Sequence, residues 1–418
     1  MIIMTRVVYI LMLFIIIACS YNKYHRVINI ASIFSFIWLL FGFISTFGFY
    51  GLRVPVLKIH LYVWSFVFCV VTTILLEKNS VQTKQQNNIS FDIYMKRAKL
   101  VQIVSLILIM PLVFFSIRSM VRTGSFTGAR HIYYTEGYFN SLYLEFVFKT
   151  VPMACCSAMN IVYCFAAFEL GKVKYMFVAL SDAFILVFIS GGRYSILSFI
   201  YCVFLLLFLS NKNNVQNMSL KLGKKAKKLI VFGVIILSLV TTIRGQDILK
   251  EFVKYFSGSF SYLDLILSNP SDFGLNSYTY GYLTFGAFFE PIVLVLKALG
   301  FDTPNIPAYQ INIYCQTFHN IGKDVRIMYN ANTTILYYFI SDLGFLGILI
   351  GGILIGKVIS ITHNKWQMHS LFGSLLFLYF MIVALNSTMI YQFFGQGAII
   401  ILTVFWFITQ KKITYGNR

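Results

Sequence analysis

Apolar residues recur in eleven long stretches, at 7 to 19, 27 to 49, 59 to 76, 100 to 117, 146 to 168, 175 to 190, 194 to 210, 229 to 243, 335 to 361, 371 to 391 and 397 to 409. Most approach the ~20 residues that carry a helix across ~30 Å of hydrocarbon. Backbone groups in lipid must be bonded within their own segment, and these runs lack the alternation of barrel strands. The expected fold is therefore all-α. It is a polytopic integral membrane protein with about eleven transmembrane helices, ten to twelve, in a single domain over residues 1–418 and without an internal repeat. With 58% hydrophobic and 11% charged residues, the chain lies far from the balance of a soluble globular domain.

The opening segment "MTRVVYILMLFIIIACS" has the look of a secretory leader, but with ten further stretches behind it the reading is a first span. Seven cysteines are present, six of them in or at the ends of apolar runs, so neither a disulfide framework nor a metal site is expected. No CxxC, HExxH or phosphate-cradling glycine loop occurs, which leaves nucleotide-driven transport and zinc chemistry without sequence support. No cofactor is expected.

The segment 211–228 carries six lysines and no acid, and reads as a cytoplasmic loop under the positive-inside rule. Counting outward from it puts the N-terminus outside and the C-terminus inside, and leaves 244–331 as one large outer loop. That rule treats lysine and arginine alike, yet the two separate. Of 23 lysines, 17 fall on the inner side; of 11 arginines, eight fall outside or at the outer boundary. Arginine presents a planar fork suited to carboxylate or phosphate, whereas lysine is a hydrated point charge. An arginine-rich outer face points to an anionic ligand there. The net charge of +20 does not call for nucleic acid, because the lysines sit in short inner loops where anionic lipid and insertion bias account for them.

Within "LVFISGGRYSILSFI", Gly191 and Gly192 suit the end of a helix, which places Arg193 at the outer mouth of the bilayer. A boundary arginine can simply snorkel to headgroups, but two glycines also let backbone or ligand approach closely. Arg244 repeats the pattern, followed by Gly245. The outer loop is rich in aromatics and ends with His319, Asp324 and Arg326 close in sequence. Its run 285–300, interrupted by Glu290 and Pro291, reads as an interfacial or re-entrant helix. Asp342 follows in the outer half of a long helical stretch, and Asp182 lies near mid-membrane. A carboxyl at either place is functional, or is bonded within the bundle or neutralised by protonation.

Together, Ser190 to Arg193, then Arg244 and Gly245 opening the outer loop, then Asn332, Thr334, Tyr338, Asp342, Gly344 and Gly347, resemble the O-antigen (Wzy-type) polymerases. The paired R-x10-G motifs of some members are missing, since no glycine stands eleven positions after Arg118, Arg122, Arg130, Arg244 or Arg326. The resemblance implies a glycosyltransferase in a bacterial inner membrane that joins undecaprenyl-diphosphate-linked oligosaccharide units into an O-antigen or capsule at the periplasmic face. It also implies a chain-length regulator and a flippase of the same pathway as partners. Such chemistry needs cations on the leaving diphosphate and a base for the attacking hydroxyl. For the first, Arg193 and Arg244 lead, followed by Arg118, Arg122, Arg130 and Arg326. For the second the candidates are His319, then Asp324 or Asp342. An O-antigen ligase and a lipid-linked oligosaccharide flippase are the competing readings; the long outer loop and the lack of a repeat weigh against the flippase.

Overall fold

The computed structural model describes residues 2–78, 91–135, 138–139, 141–209, 228–235, 238, 241–242, 247–273, 277–301, 318–329 and 333–410. The basic loop 211–227, Arg244, Gly245, Asn332 and the C-terminal tail lie outside them. Each of the eleven apolar stretches is helical over most of its described residues, with turns or irregular backbone at 27–29, 46–48 and 387–391. Among the described residues five helices are long and apolar enough to cross a membrane, and shorter apolar helices are Ile30–Ser45, Tyr194–Leu209, Leu371–Asn386 and Gly397–Thr409. These are the helices of a membrane-embedded protein. A two-stranded hairpin, β1 (His319–Asn320) with β2 (Met328–Tyr329), is a small departure from the all-α expectation.

Where the sequence reads as one domain, the chain divides into two compact units, residues 1–80, 245–361 and 380–396 in the first, and 81–244, 362–379 and 397–418 in the second. In the first unit α1 (Ile2–Tyr24), α2 (Ile30–Ser45) and α3 (Leu57–Leu76) pack together. Asn29 starts α2 with a capping box, its side chain accepting from the Ser32 N–H while its own N–H donates to Ser32 Oγ. Fully buried aromatics form the core: Trp38 and Phe66 lie 4.8 Å apart, with Phe34, Phe260 and Phe339 around them. The second unit is built around one helix. It contains α4 (Phe91–Thr123), α5 (Phe126–Thr135), the short α6 (Leu142–Glu145), a π-turn at Phe146–Thr150 and α7 (Val151–Leu170). There follow α8 (Lys174–Ser190) and α9 (Tyr194–Leu209). The apolar window running through α7 is 72% buried, against 28% for α4 and 17% for α1, so α7 is the interior helix while α1 and α4 turn apolar faces outward.

The segment 244–331 contains structure where it is described. It contains α10 (Ile248–Ser268), N-capped by Asp247, and α11 (Gly286–Ala298). The second is the helix expected at 285–300, and Phe288, Phe289, Ile292 and Val295 stand exposed along it.

The closing segment comprises α12 (Ile335–Gln367), α13 (Leu371–Asn386) and α14 (Gly397–Thr409). Helix α12 is broken at Leu343 and Gly344, the latter at φ 62°. The spacing Asp342, Gly344, Gly347 is what this break requires. A Cβ on Gly347 would sit 2.0 Å from the Phe339 carbonyl oxygen, and one on Gly344 2.9 Å from the Tyr278 hydroxyl. Gly347→Ala is therefore expected to cost about 3 kcal/mol or more and to sharply reduce folded protein in membranes. Gly395→Ala, with nothing within 4 Å of its Cβ position, is expected to match wild type in the same immunoblot and thermal-shift measurements.

Candidate functional site

The turn that joins α8 to α9 holds one of the arginines singled out from the sequence and packs against a second. Gly191 ends α8 in the left-handed conformation, φ 61°, its N–H donating to Val187 O. Ser190 Oγ donates to Leu186 O and accepts from the Gly192 N–H, which fixes the turn. Gly191 is needed for a second reason: a Cβ there would lie 3.1 Å from Arg130 Cβ and 3.2 Å from its Cγ and Cδ. The close approach expected at the paired glycines is thus made by the side chain of Arg130, on α5. Arg193 is half-buried, and its guanidinium donates through Nη1 to Thr241 Oγ1 at 2.8 Å. Two arginines of the sequence-level set therefore border one turn, Arg130 through its aliphatic stem and Arg193 by position, at the N-terminal end of α9, where the helix dipole favours an anion.

Arg118 and Arg122 lie exposed on the last turns of α4. Arg326 is exposed on the hairpin of the first unit, its Nε bonded to Met328 Sδ at 3.4 Å. Arg244 lies outside the described residues. The signal for Thr241, which sequence reasoning did not single out, was a threonine pair three residues before Arg244 in an otherwise apolar run.

The proposed bases sit in the first unit. His319, on β1, packs its ring against Phe273 at 4.9 Å and Tyr262 at 5.5 Å, while Asp324 is exposed at the hairpin tip. Asp342 is buried and engaged: Thr279 Oγ1 and the Leu283 N–H donate to its Oδ1, and the Thr284 N–H donates to its Oδ2 at 2.7 Å. It fastens the segment 279–284, which leads into α11, to the break in α12.

A buried acid that the sequence reading passed over lies beside that hairpin. Asp264 of α10, its side chain 1% exposed, meets Arg53 Nε at 3.2 Å. Burial raises the Asp264 pKa more than the Arg53 charge lowers it. Arg53 is held by its backbone as well, its N–H donating to Ile321 O and its carbonyl accepting from Ser261 Oγ. The pair fixes the 51–56 segment against the hairpin, and an isolated arginine between two spans gave no hint of its partner.

Glu290 on α11 has its carboxyl pushed up to about 7 by burial, against 4.5 ordinarily, and Tyr282 beside it is raised to about 12 by burial and by that acid. A folded-state pKa above the unfolded one contributes stability that is fully present below 4.5 and lost as pH rises through about 7. The docking of α11 is expected to weaken between about pH 5 and about pH 8, by at most about 3 kcal/mol. Glu290→Gln is expected to flatten that dependence in thermal melts of the detergent-solubilised protein.

Comparison with family models, with curated proteins and with solved structures returns no match to this chain.

Proposed function

We propose that the protein polymerises undecaprenyl-diphosphate-linked oligosaccharide repeat units into a surface polysaccharide, as a glycosyltransferase of about eleven spans in a bacterial inner membrane. In this reading residues 244–331 face the periplasm and the C-terminus faces the cytoplasm. What supports it is the arginine turn of the second unit, in which the stem of Arg130 packs against Gly191 and Arg193 follows two residues later, its guanidinium bonded to Thr241. A site of this kind suits a diphosphate, since two forked cations and a helix N-terminus all favour clustered anionic oxygens.

In the reaction a hydroxyl oxygen of the incoming unit bonds to the anomeric carbon of the growing glycan. The bond from that carbon to the diphosphate oxygen breaks, and undecaprenyl diphosphate leaves with the electron pair. Arg193 and Arg130, with Arg244, would stabilise the charge that develops on the leaving oxygen. The hydroxyl proton passes to a base, the role for which the sequence offers His319, then Asp324 or Asp342.

The test is deletion of the gene in its host followed by electrophoresis of the surface polysaccharide. The expected result is a single repeat unit on its acceptor in place of a ladder. Complete loss of surface repeat units would point instead to a ligase or a flippase, and an unchanged ladder would overturn the reading.

A further inference from the structure

The interior of the second unit holds a carboxyl group with no cation beside it. Asp182, midway along α8, is 0% exposed, and its Oδ1 accepts a 2.6 Å hydrogen bond from Gln102 Nε2 on α4. Its other oxygen, Oδ2, and Gln102 Oε1 are both buried without a donor. Two orphaned acceptors on one bonded pair are a costly arrangement, and an ionised carboxylate with a single neutral donor is costlier still. Turning the amide over does not help: Nε2 would then face Oδ2 while Oε1 faced Oδ1, which again leaves two acceptors together without a proton between them.

We propose that Asp182 and Gln102 form a proton-binding site. The carboxyl is held as the neutral acid, Oδ2–H donating to Gln102 Oε1 while Gln102 Nε2 donates to Oδ1. One proton, taken from solvent, satisfies both orphans in a cyclic acid–amide pair.

The surroundings fit a neutral group. From α7 the titratable neighbours are Cys156, Cys164 and Tyr163, and Cys202 of α9 lies behind Cys164. The nearest charge on α4 is Lys99, which is exposed. From α5 the charge is Arg130, at Gly191, nine residues along α8 from Asp182 and so ~14 Å away. Among the described residues no ion pair reaches Asp182. Helix α8 would thus cross apolar surroundings uncharged, with a proton as a fixed part of its packing. This inference does not depend on the polymerase reading.

Infrared difference spectroscopy of the full-length protein in lipid nanodiscs, wild type minus Asp182→Asn at neutral pH, tests it. The expected result is the carbonyl band of a protonated carboxyl in wild type that vanishes in the variant. The asparagine variant should melt close to wild type, because its amide can make the same reciprocal pair. A difference spectrum containing only carboxylate bands would overturn the proposal. If Asp182→Asn does not fold, Gln102→Leu decides: the acid band should persist and move to the higher frequency of an acid without its partner. Appearance of carboxylate bands there would contradict a bound proton.

Discussion

Arg193→Lys is expected to collapse the polysaccharide ladder to single repeat units in cells that insert the variant at wild-type level. Lysine keeps the charge but loses the planar fork, and with it the combination of a bond to Thr241 Oγ1 and parallel donors toward a diphosphate. Loss of one preorganised donor to a developing anion commonly costs ~10²–10³ in rate. Elongation slowed that far would leave products of one or two units. Arg26→Lys is the matched control, since Arg26 is exposed just after α1 and lies outside the candidate set, and its ladder should stay close to wild type. Equal loss in both variants would mean that arginine replacement has a general effect, not one specific to the geometry of the turn. Wild-type ladders in Arg193→Lys would remove Arg193 from the leaving-group role.

The second large effect is expected on stability. Asp342→Ala strands the Thr279 hydroxyl and the Leu283 and Thr284 N–H groups in a buried place. Each unsatisfied donor costs about 1–3 kcal/mol, so the total is on the order of 5 kcal/mol, comparable with the whole stability of many proteins. The protein should be nearly absent from membranes at growth temperature. Asp342→Asn keeps the acceptor for Thr279 and Leu283 while turning an NH₂ toward the Thr284 N–H, and should fall between the two in thermal shift. Should Asp342 act as the base and not as a tether, the asparagine variant would instead melt like wild type and still lose the ladder.

These two residues mark how far the sequence could be read. The apolar runs located the long apolar helices, because a segment with no polar alternative for its backbone must be helical in lipid, though α4 begins nine residues before its run and α5 and α10 had no run at all. Gly191 was legible as a helix end, since a left-handed cap without a Cβ penalty is a local requirement. What met the glycine was not legible. Arg130 reaches it from another helix, and nothing in the spacing of the two residues, one before α6 and the other after α8, pairs them. Asp342 was visible as a costly buried acid, but its partners lie some sixty residues earlier in the segment 279–284, so spacing could not separate a tether from a base. The Arg53 and Asp264 pair was hidden for the same reason. The broken geometry of α12 was within reach in principle, since Asp342, Gly344 and Gly347 carry it, yet a glycine in an apolar run reads equally well as helix packing. Gly352, whose Cβ would meet Cys69 Cβ at 2.8 Å, has that packing role a few residues on.

Reconstitution tests the central claim most directly. The purified protein in liposomes is supplied with the host's own undecaprenyl-diphosphate-linked repeat unit, and product length and released undecaprenyl diphosphate are measured together. The account predicts chains of two or more units, with one undecaprenyl diphosphate set free for each linkage made and both signals lost in Arg193→Lys. Liposomes that hold well-folded protein yet yield no product longer than one unit would contradict it.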